Sequence, residues 1–241
     1  MGKVISVVSG KGGTGKTLFA SNMGALLAMG GSSVVLIDMD MGLRNLDIYL
    51  GLENNVVYNV MDVISGMCRI KQALVRDKRF KSLYLMSAAP PKDERDITPL
   101  HVKVLCERLK QEFDYIIIDG SAGIGENMDL AACAADTVVV ITEPEAASIR
   151  DADVVDRELE KMGIKDKCCV VNKVDPELMA LGVVPSLADI SHSLRLRIAG
   201  LIQFDSNIYI ATNSGVPIVL KVGTYIEKNF SKIVKRIIEN E

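Results

Sequence analysis

An eight-residue stretch near the start of the chain, GKGGTGKT at residues 10–17, constrains the fold more than any other feature. It matches the phosphate-loop pattern G-x-x-x-x-G-K-[ST] in full, and it lies between a strand-like apolar run and a helix-like segment. The glycines allow backbone N–H groups to curl around phosphate oxygens, and the following helix contributes the positive end of its dipole. The stretch therefore predicts a phosphate-binding turn between a strand and a helix.

Each position in this loop has a predicted task. Lys16 is predicted to reach the β- and γ-phosphates of a nucleotide, and the Thr17 hydroxyl to complete the shell of a Mg²⁺ ion. The other predicted nucleotide-binding positions of the loop are Gly10, Lys11, Gly12, Gly13, Thr14, Gly15 and Leu18. An ordinary phosphate loop needs no charge at Lys11, so this second lysine requires a separate explanation.

The rest of the chain alternates apolar runs with segments of helical period. Several apolar runs are nearly continuous, which is typical of parallel strands buried on both faces. The predicted strands cover residues 4–8, 33–37, 82–86, 115–118, 137–141, 168–171 and 198–202; the predicted helices cover residues 17–29, 98–112, 146–162 and 225–238. This alternation predicts an α/β fold, a single-domain doubly wound and mostly parallel sheet spanning residues 1–241, with ligands bound beyond the carboxyl ends of the strands.

The charge balance, the cysteines and the lengths of the apolar runs argue against several classes of function. The chain carries 28 basic and 31 acidic side chains, a balance that argues against a broad nucleic-acid surface. Its five cysteines form no CxxC pair, which favours reduced thiols in the cytoplasm. We identify no signal peptide and no apolar run of the roughly 18 residues that a membrane-spanning helix needs.

Three carboxylates follow predicted strands at the edge where the ligand is expected. Asp38 ends the second strand and Asp40 follows it, and alternation places both on one side. Asp119 follows four apolar residues, the Walker B arrangement in which a buried strand ends in an acid that holds Mg²⁺. The predicted metal set is therefore Thr17, Asp38, Asp40 and Asp119.

The stretch NKVD at residues 172–175 leaves the identity of the base open. It matches the N-K-x-D pattern with which small GTPases read guanine, where Asp175 would accept the guanine N–H groups. The alternative is adenine, with the Asn172 amide bonded to the base edge and the Lys173 stem covering the ring.

The loop, with its extra lysine, resembles the deviant Walker A loop of the ParA/MinD ATPases, and the stretch DMDMGLRNLD at residues 38–47 is similar to the first switch segment of the MinD branch. The resemblance implies that Lys11 reaches across a dimer to the nucleotide of the partner subunit. It implies ATP or ADP with Mg²⁺ as the ligands, and it favours adenine over guanine. It also makes Asp40, with Lys11 and Lys16, a catalytic residue that orients the attacking water, while Asp38 supports the site.

Two positions depart from that family. Leu18 stands where a second hydroxyl residue usually follows Thr17, so one contact to an α-phosphate oxygen is missing, which is worth about 1 kcal/mol. Ser121 stands where a proline usually stiffens the second switch. Both departures support the alternative of a nucleotide-binding scaffold with little turnover.

Residues 142–153, TEPEAASIRDAD, are similar to the segment of the MinD branch near which MinC- and MinE-type regulators compete. The family also uses a C-terminal amphipathic helix to reach the membrane. Residues 225–241 have such a pattern, but they match the last core helix of the family, so we interpret them as packed on the domain. Membrane association is therefore retained as an alternative that no clear targeting helix supports.

The resemblance implies a cytoplasmic ATPase, with a peripheral place at the inner face of the cell membrane as the alternative. It would dimerise on ATP, hydrolyse ATP slowly and act as a spatial switch in the placement of the division site. Other readings are a flagellar-number or cargo-positioning ATPase, a DNA partitioner and a metallocluster carrier. No basic stripe supports the partitioner, and Cys133, in an alanine-rich helical pattern, is a poor cluster ligand.

Overall fold

The computed structural model describes residues 2–41, 43–90 and 96–240, which form one eight-stranded sheet with helices on both faces. The strands are β1 Lys3–Ser9, β2 Val34–Asp38, β3 Val75–Arg76, β4 Leu83–Met86, β5 Tyr115–Ala122, β6 Thr137–Thr142, β7 Lys167–Val174 and β8 Arg197–Gln203. Their order across the sheet is β3-β4-β2-β5-β1-β6-β7-β8, and every neighbouring pair is parallel except β3 with β4. The mostly parallel, doubly wound sheet predicted from the sequence is confirmed.

The strand order decides which loops meet. β1 lies at the centre between β5 and β6, so the loop after β1 has neighbours on both sides. The register places Asp38 at the end of β2 directly beside Asp119 in β5. Because all three strands are parallel, the phosphate loop and both acids lie at the same carboxyl edge.

The helices of the described chain occupy the connections between strands. They are α1 Lys16–Met29, α2 Leu46–Tyr49, α3 Val60–Ile64, α4 Ile70–Ala73, α5 Pro99–Leu109, α6 Glu126–Ala132, α7 Ala146–Lys161, α8 Pro176–Ala180, α9 Leu187–Ser193, α10 Ser206–Asn213 and α11 Tyr225–Glu239, with short 3₁₀ turns at Glu53–Asn55 and Ile218–Leu220. Within these ranges no helix is long and apolar enough to cross a bilayer.

The sheet separates two hydrophobic cores. Successive residues of β5 point to opposite faces, so that Ile116 and Ile118 join one core and Ile117 the other. The second core holds Phe19 of α1 and Phe230 of α11, whose rings stack with centroids 6.1 Å apart. Helix α11 buries Phe230, Ile233, Val234 and Ile237 in this core, so its apolar face is occupied by the domain itself.

The structure extends two strands beyond their predicted ends. β5 continues through Ala122 and β7 through Val174, where the sequence analysis expected loops after residues 118 and 171. Ser121 is consequently a buried strand residue whose hydroxyl donates to the Met39 carbonyl, 3.1 Å away. The expected loss of stiffness at Ser121 is therefore offset by strand pairing and by this hydrogen bond.

Candidate functional site

The phosphate loop is wedged between two other parts of the chain. Gly15 has a φ of 97°, in the left-handed region, and a Cβ there would lie 2.2 Å from Asn172 Nδ2. A Cβ on Gly10 would lie 2.7 Å from the Cβ of Asp151 in α7. Both positions need glycine, one for its backbone angle and both for space. The neighbours of the loop thus hold it in shape.

Lys16 lies inside the loop, and its ammonium group is nearly removed from water. The residue is 7% exposed, and its Nζ donates to the Ser9 hydroxyl over 3.0 Å. Burial lowers the pKa of Lys16, while the nearby carboxylates of Asp119 and Asp40 oppose that shift. Ser9 in turn donates to the Lys11 carbonyl over 2.7 Å. Ser9 is a site residue that the phosphate-loop pattern does not include.

Asp119 is buried beside the loop with one oxygen atom lacking a partner. Its Oδ1 makes no hydrogen bond to any described part of the chain, whereas the carboxylate accepts a hydrogen bond from the Thr17 hydroxyl. Burial, with the neighbouring Asp38, raises the pKa of Asp119 well above its usual value. A buried oxygen with an unused lone pair needs a ligand, and a cation supplies one.

Asp38 organises the segment that follows it. Its Oδ1 accepts the Asp40 N–H at 2.9 Å and its Oδ2 accepts the Leu46 N–H at 3.1 Å. Burial raises the pKa of Asp38 to about 6 in spite of these two hydrogen bonds. Since both oxygens accept from backbone N–H groups, Asp38 fixes the positions of Asp40 and Leu46 relative to the end of β2.

Asp40 is half-buried at the rim of the loop. Burial raises its pKa, and the Lys16 ammonium and the polar Ser121 hydroxyl nearby oppose that shift. The Asp40 carboxylate is therefore near Lys16 and still open to water, the combination that a water-orienting acid requires.

The segment after Asp40 includes a strained residue. Arg44 has a φ of 47°, unusual for a residue with a side chain, and its Nε donates to Asp47 Oδ2 over 2.6 Å. The Asp47 side chain is 2% exposed, so the ion pair anchors the strained turn to the body of the protein. The Arg44 N–H also donates to the Asp40 carbonyl over 3.2 Å, and uncommon backbone conformations of this kind cluster at active sites and switch regions.

Strand β7 supplies two side chains that bind the loop from the far side. Asn172 Nδ2 donates to the Thr14 carbonyl over 2.7 Å, and Lys173 Nζ donates to the Gly13 carbonyl over 2.8 Å. Lys173 also pairs with Glu143 at 2.8 Å and has a φ of 55°. Both side chains touch the loop, and their predicted contacts with a base remain predictions.

Asp175 has a structural task in this fold, separate from the reading of a base. Its carboxylate caps α8, with Oδ1 accepting the N–H groups of Glu177 and Leu178 at 2.9 and 3.2 Å. A helix cap of this kind explains the acid without a base, because an N-cap aspartate satisfies otherwise free donors. The cap engages Oδ1 alone, and the role of Asp175 in reading a guanine base stays a prediction.

Lys11 differs from Lys16 in its exposure, in its partner and in the direction of its pKa shift. Its Nζ lies 2.6 Å from Glu145 Oε2, and the two side chains are 41% and 51% exposed. The hydrogen bond to Glu145 raises the pKa of Lys11, and Glu143 and Asp151 contribute to the shift. Lys11 is therefore a charged, accessible group at the outer surface of the loop.

The oxygen groups near the loop suit Mg²⁺. Within residues 2–41, 43–90 and 96–240 no three His, Cys, Asp or Glu side chains are grouped as a complete metal cage. Mg²⁺ usually takes one or two protein oxygens together with phosphates and water, so a full protein cage is not needed. The Thr17 hydroxyl and the unpartnered Asp119 Oδ1 fit that requirement.

A glycine loop at the end of a central strand, a buried lysine inside it and an acid on the next strand together define a P-loop nucleotide-binding protein. A family model described as "AAA domain" matches residues 2–165. Septum site-determining protein MinD of Thermotoga maritima is 42% identical over 98% of this chain and 88% of its own length. The Bacillus subtilis protein of the same name is 40% identical over 99% of this chain and 90% of its length.

Solved structures agree with these relatives. MinD in a MinC:MinD complex from Aquifex aeolicus superposes with a TM-score of 0.92 at 37% identity, covering 99% of this chain and 96% of that one. MinD from Pyrococcus horikoshii, solved with Mg-ADP, gives a TM-score of 0.88 at 25% identity, with coverage of 98% and 96%. The chain belongs to the MinD branch of the ParA/MinD family, which confirms the resemblance drawn from its loop and first switch segment.

Proposed function

We propose that this chain is a Mg²⁺-dependent ATPase of the MinD type, a nucleotide-controlled switch in the placement of the division site. The observation that carries the proposal is the pair of lysines in one loop, Lys16 buried against the loop and Lys11 exposed at its outer surface. Lys16 is placed to bind a phosphate in its own subunit. Lys11, held only by an exposed ion pair with Glu145, could reach the nucleotide of a second subunit. The names of the relatives supply the biological setting.

Within one subunit the residues divide the work on ATP. Lys16 would bind the β- and γ-phosphates, because its buried ammonium has the Ser9 hydroxyl as its only hydrogen-bond partner in the described chain. Held by Thr17 and Asp119, Mg²⁺ would supply charge neutralisation at the phosphates. Asp40 would orient the attacking water and accept its proton, a task helped by the raised pKa of its carboxyl group.

We expect hydrolysis by the isolated protein to be slow. Asp38, the most buried acid of the first switch segment, has both oxygens committed to backbone N–H groups and is not available as a base. Asp40 is half-exposed. The uncommon backbone conformation of Arg44 nearby would favour a rearrangement of this segment. A partner that fixes this segment would accelerate the reaction by positioning Asp40.

Dimerisation on ATP follows from the position of Lys11. An exposed ion pair such as that between Lys11 and Glu145 is weak, so the lysine can exchange Glu145 for the phosphates of a partner subunit. A positive charge delivered there would stabilise charge that develops in phosphoryl transfer. The γ-phosphate would make ATP, rather than ADP, the ligand that favours the dimer.

The regulatory partner would contact the start of α7. This segment contacts the loop at two points, Glu145 with Lys11 and Asp151 against Gly10, and Glu143 pairs with Lys173 of β7. A protein bound here would sense whether Lys11 has left Glu145. We propose a partner of the MinC type, as in the Aquifex aeolicus complex, at this surface.

We propose a cytoplasmic location for the protein, with peripheral association at the inner face of the membrane as the alternative. The apolar face of α11 is buried in the core, so α11 is not the membrane contact in this conformation. Liposome co-sedimentation of the whole chain with ATP and with ADP tests the association. ATP-dependent binding supports it, and equal recovery in the supernatant under both conditions contradicts it.

The proposal as a whole is tested by size-exclusion chromatography with light scattering in ATP, in ADP and without nucleotide, alongside phosphate release. We expect a dimer in ATP alone and a slow release of phosphate that rises with a MinC- or MinE-type partner. A monomer in every condition would contradict the switch. Binding of ATP without any single-turnover hydrolysis would instead identify a scaffold.

A further inference from the structure

A groove between α5 and the α3–α4 pair lies apart from the nucleotide site. It has a volume of about 230 Å³ and is lined mainly by Val63, Ile64, Ile70, Leu100, Val104 and Leu105. None of these residues belongs to the phosphate loop, the acids beside it or the start of α7. The groove is therefore available to a second partner while the proposed switch operates.

The wall that α5 presents to the groove is apolar and accessible. Leu100 and Val104 lie one helical turn apart, and they are 67% and 45% exposed. Leu105 forms the floor at 4% exposure, so the surface is concave rather than protruding. Adjoining apolar side chains around a cleft are typical of a docking site for a helix.

The charge around the groove is mostly positive. Val63, Ile70 and Arg108 also line an adjoining cleft, whose rim carries Arg69 and Lys71 against the single acid Glu112. Lys71 and Glu112 pair at 3.7 Å, so that Arg69 at the start of α4 and Arg108 on α5 give the described lining of the two clefts its net positive charge. This local excess of positive charge contrasts with a net charge of −3 for the chain.

We propose that this groove binds an amphipathic helix of a partner protein, with apolar residues at helical spacing and carboxylates on both flanks. The apolar stripe would cover Leu100 and Val104, and the carboxylates would face Arg69 and Arg108. Helix α5 has 11 residues, so the contact suits about three turns of helix. A flat anionic membrane fits less well, because the apolar floor lies at the bottom of a cleft.

The test uses a labelled synthetic helical peptide, with leucines at i, i+4 and i+7 flanked by glutamates, and measures its binding to the whole protein by fluorescence anisotropy. The comparison ligands are the same peptide with lysine in place of glutamate, and vesicles of phosphatidylglycerol. We expect the acidic peptide to bind, the basic peptide to bind at least about tenfold more weakly, and the vesicles not to compete.

The variants locate the contact. Arg108→Glu and Leu100→Gln should each weaken binding of the acidic peptide about tenfold or more. Lys103→Glu is the matched control, an exposed charge on α5 that lines neither cleft, and should change it less than about twofold. Slow phosphate release should be unchanged in all three.

Three results would overturn the inference. They are absence of peptide binding, equal binding of the acidic and basic peptides, and equal effects of Arg108→Glu and Lys103→Glu. Displacement of the peptide by the vesicles would assign the surface to lipid instead. Because the readout is peptide binding without nucleotide, failure here is separate from failure of the ATPase proposal.

Discussion

Lys16 and Lys11 belong to the same loop, yet they differ in how the fold treats them. Lys16, at the start of α1, is 7% exposed and donates a hydrogen bond to the Ser9 hydroxyl at the end of β1. The Lys11 side chain is 41% exposed and paired with a glutamate that is itself half-exposed. Burial fixes the first ammonium group and lowers its pKa, whereas hydrogen bonding raises the pKa of the second.

The contrast teaches how one short loop can carry a local and a remote task. A buried lysine with one neutral partner is arranged to receive phosphate where it stands. An exposed lysine in a weak ion pair can move several ångströms at little cost. The predictions below test whether the two lysines are as different in action as they are in position.

The largest effect is expected for Lys16→Ala. A charge-assisted hydrogen bond in a buried site contributes about 1.5–3 kcal/mol, so the affinity for ADP should fall by about ten- to a hundredfold. Titration with a fluorescent ADP analogue measures it. Lys165→Ala, a change at an exposed lysine outside the loop, is the control. An affinity within about threefold of wild type would remove Lys16 from the site.

Lys11→Ala should separate dimerisation from binding. The ADP affinity should stay within about threefold, because Lys11 faces away from its own loop, while the ATP-dependent dimer should weaken more than about tenfold. Light scattering at several protein concentrations measures the dimer. A variant that dimerises with ATP as wild type does would refute the role of Lys11 across the interface.

A smaller effect is expected for Leu18→Thr, which restores the hydroxyl that the family usually has. One neutral hydrogen bond contributes about 1 kcal/mol, so nucleotide affinity should rise no more than about fivefold. Leu18 also packs against the core around Phe19, so the melting temperature should fall. Calorimetry measures both, and Leu18→Ala should lose stability without gaining affinity. No gain for threonine would mean that the hydroxyl finds no phosphate here.

The smallest effect is expected for Glu145→Gln, which weakens the hold on Lys11. The ATP-dependent dimer should form at concentrations up to about threefold lower, and the gain should shrink as salt is added. Sedimentation at two salt concentrations measures this, and Glu158→Gln, in the helix α7 that Glu145 precedes, is the control. A weaker dimer would show that Glu145 acts within the interface rather than against it.

Features that depend on local residue types could be predicted from the sequence. The alternation of apolar runs predicted the parallel sheet, and the loop pattern predicted its phosphate turn, because each depends on local residue types. Asp38 and Asp119 could be placed at one edge because parallel strands end together, and the structure pairs them in register.

Contacts between distant segments lay beyond such reasoning. Ser9, which accepts a hydrogen bond from Lys16, lies outside the phosphate-loop pattern, so the pattern could not predict its role. The pairing of Lys11 with Glu145 joins residues 134 positions apart in the sequence. The task of Asp175 depended on whether a helix begins beside it, and N-K-x-D alone does not say. The groove on α5 required the position of the short helices α3 and α4, which the sequence analysis did not identify.

The wedging of the phosphate loop between β7 and α7 has a kinetic consequence. Hydrogen bonds from Asn172 and Lys173 hold its carbonyls, and the space around Gly15 and Gly10 is filled by Asn172 and Asp151. The conformational entropy of the loop is therefore lost when the chain folds, not when ATP arrives. Nucleotide capture should then proceed without a loop-folding step, and the slow events of the cycle should be the later ones, in which Lys11 and the Arg44 segment change partners.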